Sequence, residues 1–193
     1  MMGLKLTPEM IIKAYAMGIF PMGDDDGSIR WYSPDPRCIF DLDTFHVPKR
    51  LARTYRSGVF EMRVNHAWDD VLLHCANRDT TWITDKIFAV YRKLHELGMA
   101  HTVEAYKDGK LAGGLYGVSL GGAFMGESMF HTQTDASKVC LVYLVERMKQ
   151  RGFVLLDSQF MTDHLSTFGA IEISRDEYLE RLRRALELKC RFD

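Results

Sequence analysis

Apolar side chains recur every three to four positions in several parts of the chain, the spacing of one face of an α-helix. Ile87 and Leu94 belong to such a face, and Gly98 follows as a residue that can end the helix. Thr7 stands before a proline, and Ser174 opens a Ser-x-x-Glu capping box, so both mark helix starts. The pattern predicts helices over residues 7–18, 46–57, 65–76, 84–97, 135–150 and 174–188.

Two of these helices have expected caps. Asn65 is placed to cap the third, and Asp135 or Thr134 the fifth. The fifth helix is also too apolar for a surface helix, which predicts that it is buried.

A second set of segments indicates β-strands, and it covers residues 59–64, 100–106, 111–118, 123–130 and 153–159. The run Lys107–Lys110, with Asp-Gly at its centre, predicts a tight hairpin turn, so residues 100–130 form an antiparallel meander. The Pro-, Gly- and Asp-rich stretch Phe20–Arg37 is predicted to be irregular. Helices, a meander, a buried helix, a strand and a final helix are the element order of an α+β acyltransferase of the Gcn5-related N-acetyltransferase type.

Composition narrows the function classes. The 193 residues contain 25 basic and 26 acidic side chains, for a net charge of −1, so a nucleic-acid contact needs a local basic patch. The four cysteines form no close-set pairs, which predicts a reduced compartment and no zinc site. Since no signal peptide or membrane span is indicated, we expect a cytoplasmic protein.

Three polar residues are candidates for chemistry. Glu127 ends an apolar, glycine-rich strand, where it is either a water-exposed edge residue or a ligand-facing carboxylate. Asp157 and Gln159 stand two apart at the end of a buried strand, so we expect them to share one face. They are either a polar pair that anchors the next loop or part of a site. No Walker A loop and no G-x-G-x-x-G motif is present.

A local basic patch is present. It consists of Lys49, Arg50, Arg53 and Arg56, which fall on one side of a predicted helix. The patch is either a solvated surface or a contact for a phosphate backbone.

The chain resembles the leucyl/phenylalanyl-tRNA–protein transferase family over nearly its whole length. The matching segments include Ala14–Pro21, Trp31–Arg37, Thr81–Thr84, Leu94–Gly98, Gly113–Val118, Gly126–Phe130, Ala136–Lys138, Leu156–Gln159 and Asp163-His164. The resemblance implies transfer of leucine or phenylalanine, with methionine as a further candidate, from tRNA to the N-terminal Arg or Lys of a protein, which marks that protein for degradation. It also implies a small, shortened N-terminal subdomain (residues 1–36), an acyltransferase domain (residues 37–193) and a monomer. No metal or coenzyme A is expected, because aminoacyl-tRNA is already an activated ester.

The resemblance also implies roles for individual residues. Asp157 would orient Gln159, Gln159 would contact the reacting centre, and Glu127 would hold an amino group of either substrate. Proton transfer through the Gln–Asp pair and through the substrate both remain open. The implied substrate-binding residues are Trp82, Leu115, Phe124, Ser128, Met129, Leu141, Leu144 and Leu156. The basic patch would hold the tRNA acceptor stem.

Two departures bear on the substrate-facing part. The family carries a longer N-terminal stretch, and it has a Trp where this chain has Met22. Two rival functions therefore stay open. One is a coenzyme-A-dependent acetyltransferase of the same fold, although His131–Lys138 contains no glycine for a pyrophosphate loop. The other is a non-catalytic tRNA-binding module.

Overall fold

The computed structural model describes residues 6–24 and 26–193. Within them the helices are α1 (Pro8–Ala16), α2 (Lys49–Arg56), α3 (Trp68–Ala76), α4 (Asp85–Glu96), α5 (Ala136–Gln150), α6 (Asp163–Ser166) and α7 (Arg175–Leu186). The strands are β1 (Phe20–Gly23), β2 (Ile29–Tyr32), β3 (Arg37–Phe40), β4 (Glu61–Val64), β5 (Ala100–Lys107), β6 (Lys110–Leu120), β7 (Ala123–His131), β8 (Leu155–Gln159) and β9 (Ile171–Ile173). The predicted α+β class is confirmed.

A seven-stranded sheet forms the centre, in the order β4-β5-β6-β7-β8-β3-β9. Neighbouring strands are antiparallel except β7 and β8, which are parallel. The meander β5–β6–β7 is confirmed, and Asp108 (φ 51°) and Gly109 (φ 73°) make its first turn. Strands β1 and β2 form a separate antiparallel pair.

Apolar side chains pack on both faces of the large sheet. Along β7, Ala123 and Met125 belong to one core cluster and Phe124 to the other, because successive strand residues point to opposite faces. The first cluster includes residues of α1, α3, α4 and α7, and the second includes residues of α2 and α5. The predicted burial of α5 is confirmed.

Some of the expected caps are present and others are not. The hydroxyls of Thr7 and Ser174 accept backbone N–H bonds in the first turns of α1 and α7, as predicted. Asn65 does not cap α3; its side-chain oxygen instead accepts the N–H of Thr102 at 3.1 Å. Asp135 stands at the N-cap of α5 without capping it, since its carboxylate binds an arginine of α2.

The prediction of irregular structure over Phe20–Arg37 was wrong in part, because β1 and β2 lie inside it. The strands β3 and β9 were also not predicted. Both have at most four residues. β3 is held between β8 and β9, so its stability comes from distant partners and not from its own pattern. Among the described residues, no helix combines the length and apolarity needed to cross a bilayer.

Candidate active site

A cleft of about 280 Å³ opens where the parallel strands β7 and β8 separate. Their pairing runs from Ala123 with Leu155 to Met125 with Asp157 and then ends. Glu127 and Gln159 follow directly on the two strands, and both line the cleft together with Asp157. The three residues predicted from separate strands therefore meet at one place.

A β-bulge positions Glu127. Gly117 of β6 faces Gly126, but the preceding Tyr116 faces Ser128, so Glu127 is the extra residue of β7. A Cβ atom at Gly117 would lie 2.3 Å from the carbonyl oxygen of Met125, which explains why glycine stands there. Such bulges redirect a side chain, and this one places Glu127 in the cleft.

The Glu127 carboxylate is bound by two tyrosines and an amide. Its Oε1 accepts from the Tyr15 hydroxyl at 2.5 Å and from Gln159 Nε2 at 3.0 Å, and its Oε2 accepts from the Tyr91 hydroxyl at 3.4 Å. The two hydroxyls also contact each other at 2.5 Å. Desolvation raises the pKa of Glu127 to about 8, and the bonds from Tyr15 and Gln159 oppose that rise.

Asp157 is fully buried and faces an equally buried arginine. Its Oδ1 accepts from Arg37 Nε at 2.9 Å and from the Gln159 backbone N–H at 2.9 Å. Its Oδ2 accepts from Arg37 Nη2 at 2.6 Å and from the Tyr178 hydroxyl at 2.8 Å. Arg37 also donates to the carbonyl oxygen of Gly18 at 3.1 Å. The Asp157–Arg37 pair thus joins β8 to β3, α7 and the turn after α1.

The link between Asp157 and Gln159 runs through the main chain. Gln159 has a φ of 66°, in the left-handed region that non-glycine residues seldom adopt, and its N–H bond to Asp157 holds it there. Asp157 makes no bond to the side-chain amide, which donates to Glu127 instead. Both residues line the same cleft, although the register with β3 shifts between them.

Most of the predicted substrate-binding residues line the cleft. They are Trp82, Leu115, Ser128, Met129, Leu141, Leu144 and Leu156. Phe124 is the exception and is corrected here, since it is fully buried and its ring packs 5.0 Å from that of Phe192. Phe124 belongs to the second core cluster, behind the cleft.

The N-terminal segment forms another part of the wall, through Phe20, Pro21 and Met22. The backbone N–H of Gly23 in β1 donates to the carbonyl oxygen of Trp82 at 3.0 Å. Met22 therefore lies in the same cleft as Trp82. These contacts tie the small β1–β2 sheet to the site.

Sequence reasoning missed four residues of this site. Tyr15 and Arg37 stand in segments that match the family and Tyr91 in a predicted helix, but none of the three has a predicted role. The signal was available, because a tyrosine on an apolar helix face buries a hydroxyl that needs a partner. Tyr116 also lines the cleft, and among the described residues its buried hydroxyl has no hydrogen-bond partner.

The basic patch lies on α2, outside the cleft lining. All four of its side chains, Lys49, Arg50, Arg53 and Arg56, are exposed. Arg50 differs from the others, because Nη1 and Nη2 bind both oxygens of the buried Asp135 carboxylate at 2.6 and 2.8 Å. That pair lowers the pKa of Asp135.

The chain matches two family models that together cover most of its length. The family model "Leucyl/phenylalanyl-tRNA protein transferase" matches residues 39–183, and the model of that family's N-terminal domain matches residues 5–35. The chain belongs to the leucyl/phenylalanyl-tRNA–protein transferase family. It is therefore an enzyme, an aminoacyltransferase.

Relatives of this name match the chain end to end. The protein from Rubrobacter xylanophilus is 50% identical over 190 residues, which cover 98% of this chain and 100% of the relative. The protein from Gloeobacter violaceus is 51% identical, covering 97% of each chain. The one from Herpetosiphon aurantiacus is 52% identical, covering 97% of this chain and 98% of the relative.

Solved structures with some likeness are more distant. One is L-PGS from Bacillus licheniformis, with a TM-score of 0.43 and 13% identity over 82% of this chain and 55% of that one. Another is a GCN5-related N-acetyltransferase-like protein from Streptococcus suis, with a TM-score of 0.45 and 12% identity over 86% and 64% of the two chains. This chain thus spans about half to two thirds of their length, and the similarity concerns the fold alone.

Proposed function

We propose that the cleft transfers leucine or phenylalanine from aminoacyl-tRNA to the α-amino group of proteins that begin with Arg or Lys. Methionine is a third candidate donor residue, and the product would be marked for degradation. The convergence of Glu127 and Gln159 beside an apolar wall is the observation that carries this proposal. The names of the three relatives support it.

The reaction depends mainly on positioning the two substrates, because the ester is already activated. The acceptor nitrogen attacks the ester carbonyl carbon, a C–N bond forms, and the C–O bond to the ribose breaks. The proton that leaves the amine ends on the released ribose hydroxyl. The acceptor amine must be neutral, and the developing oxyanion needs hydrogen-bond donors.

Glu127 would bind an amino group of a substrate and accept its proton. An α-amino group has an ordinary pKa of about 7.7–8.0, and the pKa of Glu127 is raised to about 8. Because the two values match, moving a proton between them costs little free energy. Tyr15 and Tyr91 would fix the carboxylate while this happens. The assignment of Glu127 to the donor or the acceptor amine stays open.

Gln159 would position the reacting groups, and Asp157 would position Gln159. Each oxygen of the Asp157 carboxylate accepts two hydrogen bonds, and the Gln159 side chain is not among the donors. This arrangement favours substrate-assisted proton transfer over a relay through the Gln–Asp pair. Arg37 then acts as a positioning residue behind Asp157.

Side-chain selection would take place at the apolar wall. Leu115, Leu141, Leu144, Leu156 and Met129 offer no polar group to a bound side chain. A polar side chain would lose its hydration there without a partner. Discrimination among leucine, methionine and phenylalanine should be soft, because one methylene in such a pocket is worth about 1–3 kcal/mol.

The donor tRNA would rest on the exposed basic patch of α2, mainly through its phosphates. Trp82 would stack on the terminal adenosine, while Met22 offers an apolar contact where the family has a second aromatic. We further propose a cytoplasmic monomer without metal or coenzyme, in which residues 1–36 form a subdomain and residues 37–193 the acyltransferase domain. The activated ester makes a cofactor unnecessary.

A transfer assay tests the proposal. The protein is incubated with radiolabelled Leu-tRNA or Phe-tRNA and a protein acceptor with N-terminal Arg or Lys. The acetylated acceptor is the control. We expect label in the free acceptor only, and no label after the donor is treated with RNase. Tight tRNA binding without transfer would indicate a binding module, and turnover of acetyl-coenzyme A would indicate an acetyltransferase; each would contradict the proposal.

A further inference from the structure

A second groove, of about 470 Å³, runs beside the cleft. Arg78, Met129 and His164 line both spaces, so the groove and the cleft adjoin. Its size falls within the range of small-molecule sites. The proposed function does not use it.

The lining of this groove is cationic. Arg78 and Lys138 supply formal positive charges, and His74 and His131 supply further nitrogen donors. Among the described residues that line the groove there is no carboxylate. The His74 ring also stacks on Phe130, with the centroids 4.4 Å apart and the planes 9° from parallel. A positive groove with flat aromatic surfaces is typical of sites for single-stranded nucleic acid.

The groove lies between the cleft and the basic patch. Ser137 and Lys138 bring the first turn of α5 into its lining. The residue before that turn, Asp135, is bound by Arg50 of α2. The first turn of α5 therefore connects the basic patch with the groove.

Lys138 is available for a ligand. Its Nζ lies 3.8 Å from Asp135 Oδ1, a long contact, and that carboxylate already accepts two shorter bonds from Arg50. The Lys138 side chain is 38% exposed. Its charge can thus turn to a phosphate without breaking a strong ion pair.

We propose that this groove binds the phosphates of the single-stranded 3′ end of the donor tRNA, next to the aminoacylated adenosine. The inference rests on the proposed function and adds the path by which the donor enters. The charge of the groove favours the donor over the acceptor, because an N-terminal Arg or Lys would be repelled by Lys138, which lines the groove and not the cleft. The acceptor therefore enters from another side of the cleft.

Donors of different length test the proposal. Lys138→Gln is compared with Lys149→Gln, an exposed lysine on the same helix, and with Lys138→Arg, which keeps the charge. Losing one charged phosphate contact should raise the KM for Leu-tRNA by about tenfold in Lys138→Gln. The KM for leucyl-adenosine, which has no phosphate, should stay unchanged, and Lys149→Gln and Lys138→Arg should behave like the wild type.

Other results would overturn the proposal. They are an unchanged KM for Leu-tRNA, an equal rise for leucyl-adenosine, or a rise for the acceptor alone. If the wild type transfers leucine from no donor, the proposed function is wrong, and direct binding of a CCA trinucleotide without an attached amino acid then tests the groove. Weaker trinucleotide binding by Lys138→Gln than by Lys149→Gln supports the groove. Lys138-dependent binding of coenzyme A without trinucleotide binding contradicts it.

Discussion

At the scale of single residues, the site is defined by a carboxylate held in an environment that disfavours its charge. Glu127 is flanked by the hydroxyls of Tyr15 and Tyr91 and by the Gln159 amide. Desolvation outweighs these bonds, so the pKa of Glu127 rises to about 8. A perturbed carboxylate in a cleft is a recurrent mark of an active site.

The raised pKa makes stability depend on pH. Between the ordinary value of 4.5 and about 8, Glu127 keeps its proton in the folded protein and loses it in the unfolded chain. Its contribution to stability is therefore complete below about 4.5 and is lost as the pH rises to about 8. Glu127→Gln should thus gain stability relative to the wild type across this window and then level off.

Thermal unfolding at a series of pH values measures this difference. Glu172→Gln, at an exposed position on β9, serves as the control and should show no such trend. A difference between Glu127→Gln and the wild type that is flat from pH 5 to 8 would show that the Glu127 pKa is not raised.

Tyr15→Phe should slow transfer while the protein remains folded. The substitution removes the shortest bond to Glu127 Oε1 and raises the carboxyl pKa further, because that bond lowers it. A hydrogen bond between neutral groups contributes about 0.5–1.5 kcal/mol, so kcat should fall by about two- to tenfold. Single-turnover transfer measures it. Tyr143→Phe, outside the cleft, should keep wild-type rates. Equal rates in the two variants would show that Tyr15 has no role in transfer.

At the scale of secondary-structure elements, the buried Arg37–Asp157 pair joins β3 to β8 and fixes Gln159 through its backbone N–H. The strands of the meander and the long helices could be predicted from the sequence, because their patterns are local. β3 could not, since its four residues are all buried and owe their place to β8 and β9. Likewise, the residue types at Glu127, Asp157 and Gln159 indicated a site, but the bulge that aims Glu127 depends on the register with β6.

Substitutions at this pair should separate stability from activity. Asp157→Asn leaves the buried Arg37 without a counter-charge, which typically costs about 3–5 kcal/mol. Combining Asp157→Leu with Arg37→Met should recover most of that loss, because apolar residues of similar volume replace both charges. Transfer should nevertheless stay well over tenfold reduced, since Leu cannot accept the Gln159 N–H bond.

Urea unfolding and transfer rates measured on the same preparations test this separation. The conservative Arg37→Lys variant should lie between the wild type and Asp157→Asn in both measurements. If the double variant regained wild-type transfer together with its stability, Asp157 would have no positioning role.

At the scale of the whole molecule, a chain with a net charge of −1 carries on α2 four exposed cations and no acidic residue. Lys49, Arg53 and Arg56 have no ion-pair partner among the described residues, whereas Arg50 binds Asp135. The sequence indicated that the four cations lie on one side of α2. It could not indicate that Arg50 forms an ion pair within the fold, because that pair depends on where α5 begins.

Neutralising the three unpaired cations should weaken tRNA binding in a salt-dependent way. With Lys49, Arg53 and Arg56 changed to Gln, the slope of log K against log salt should become shallower by up to about 0.7–0.9 per lost phosphate contact. Filter binding over a range of KCl concentrations measures this. A triple variant at the exposed Lys93, Lys110 and Lys189 is the charge-matched control. Equal slopes in the two triple variants would exclude α2 as the tRNA contact.

The central claim is that the ester reacts between Glu127, Gln159 and the apolar wall. A crystal structure with an amide-linked leucyl-adenosine analogue tests it most directly, because the amide cannot be transferred. We expect the leucyl side chain to pack among Leu115, Leu141 and Leu144, with the reacting carbonyl carbon within contact distance of Gln159. An analogue bound elsewhere, or bound with its carbonyl turned away from Gln159, would contradict it.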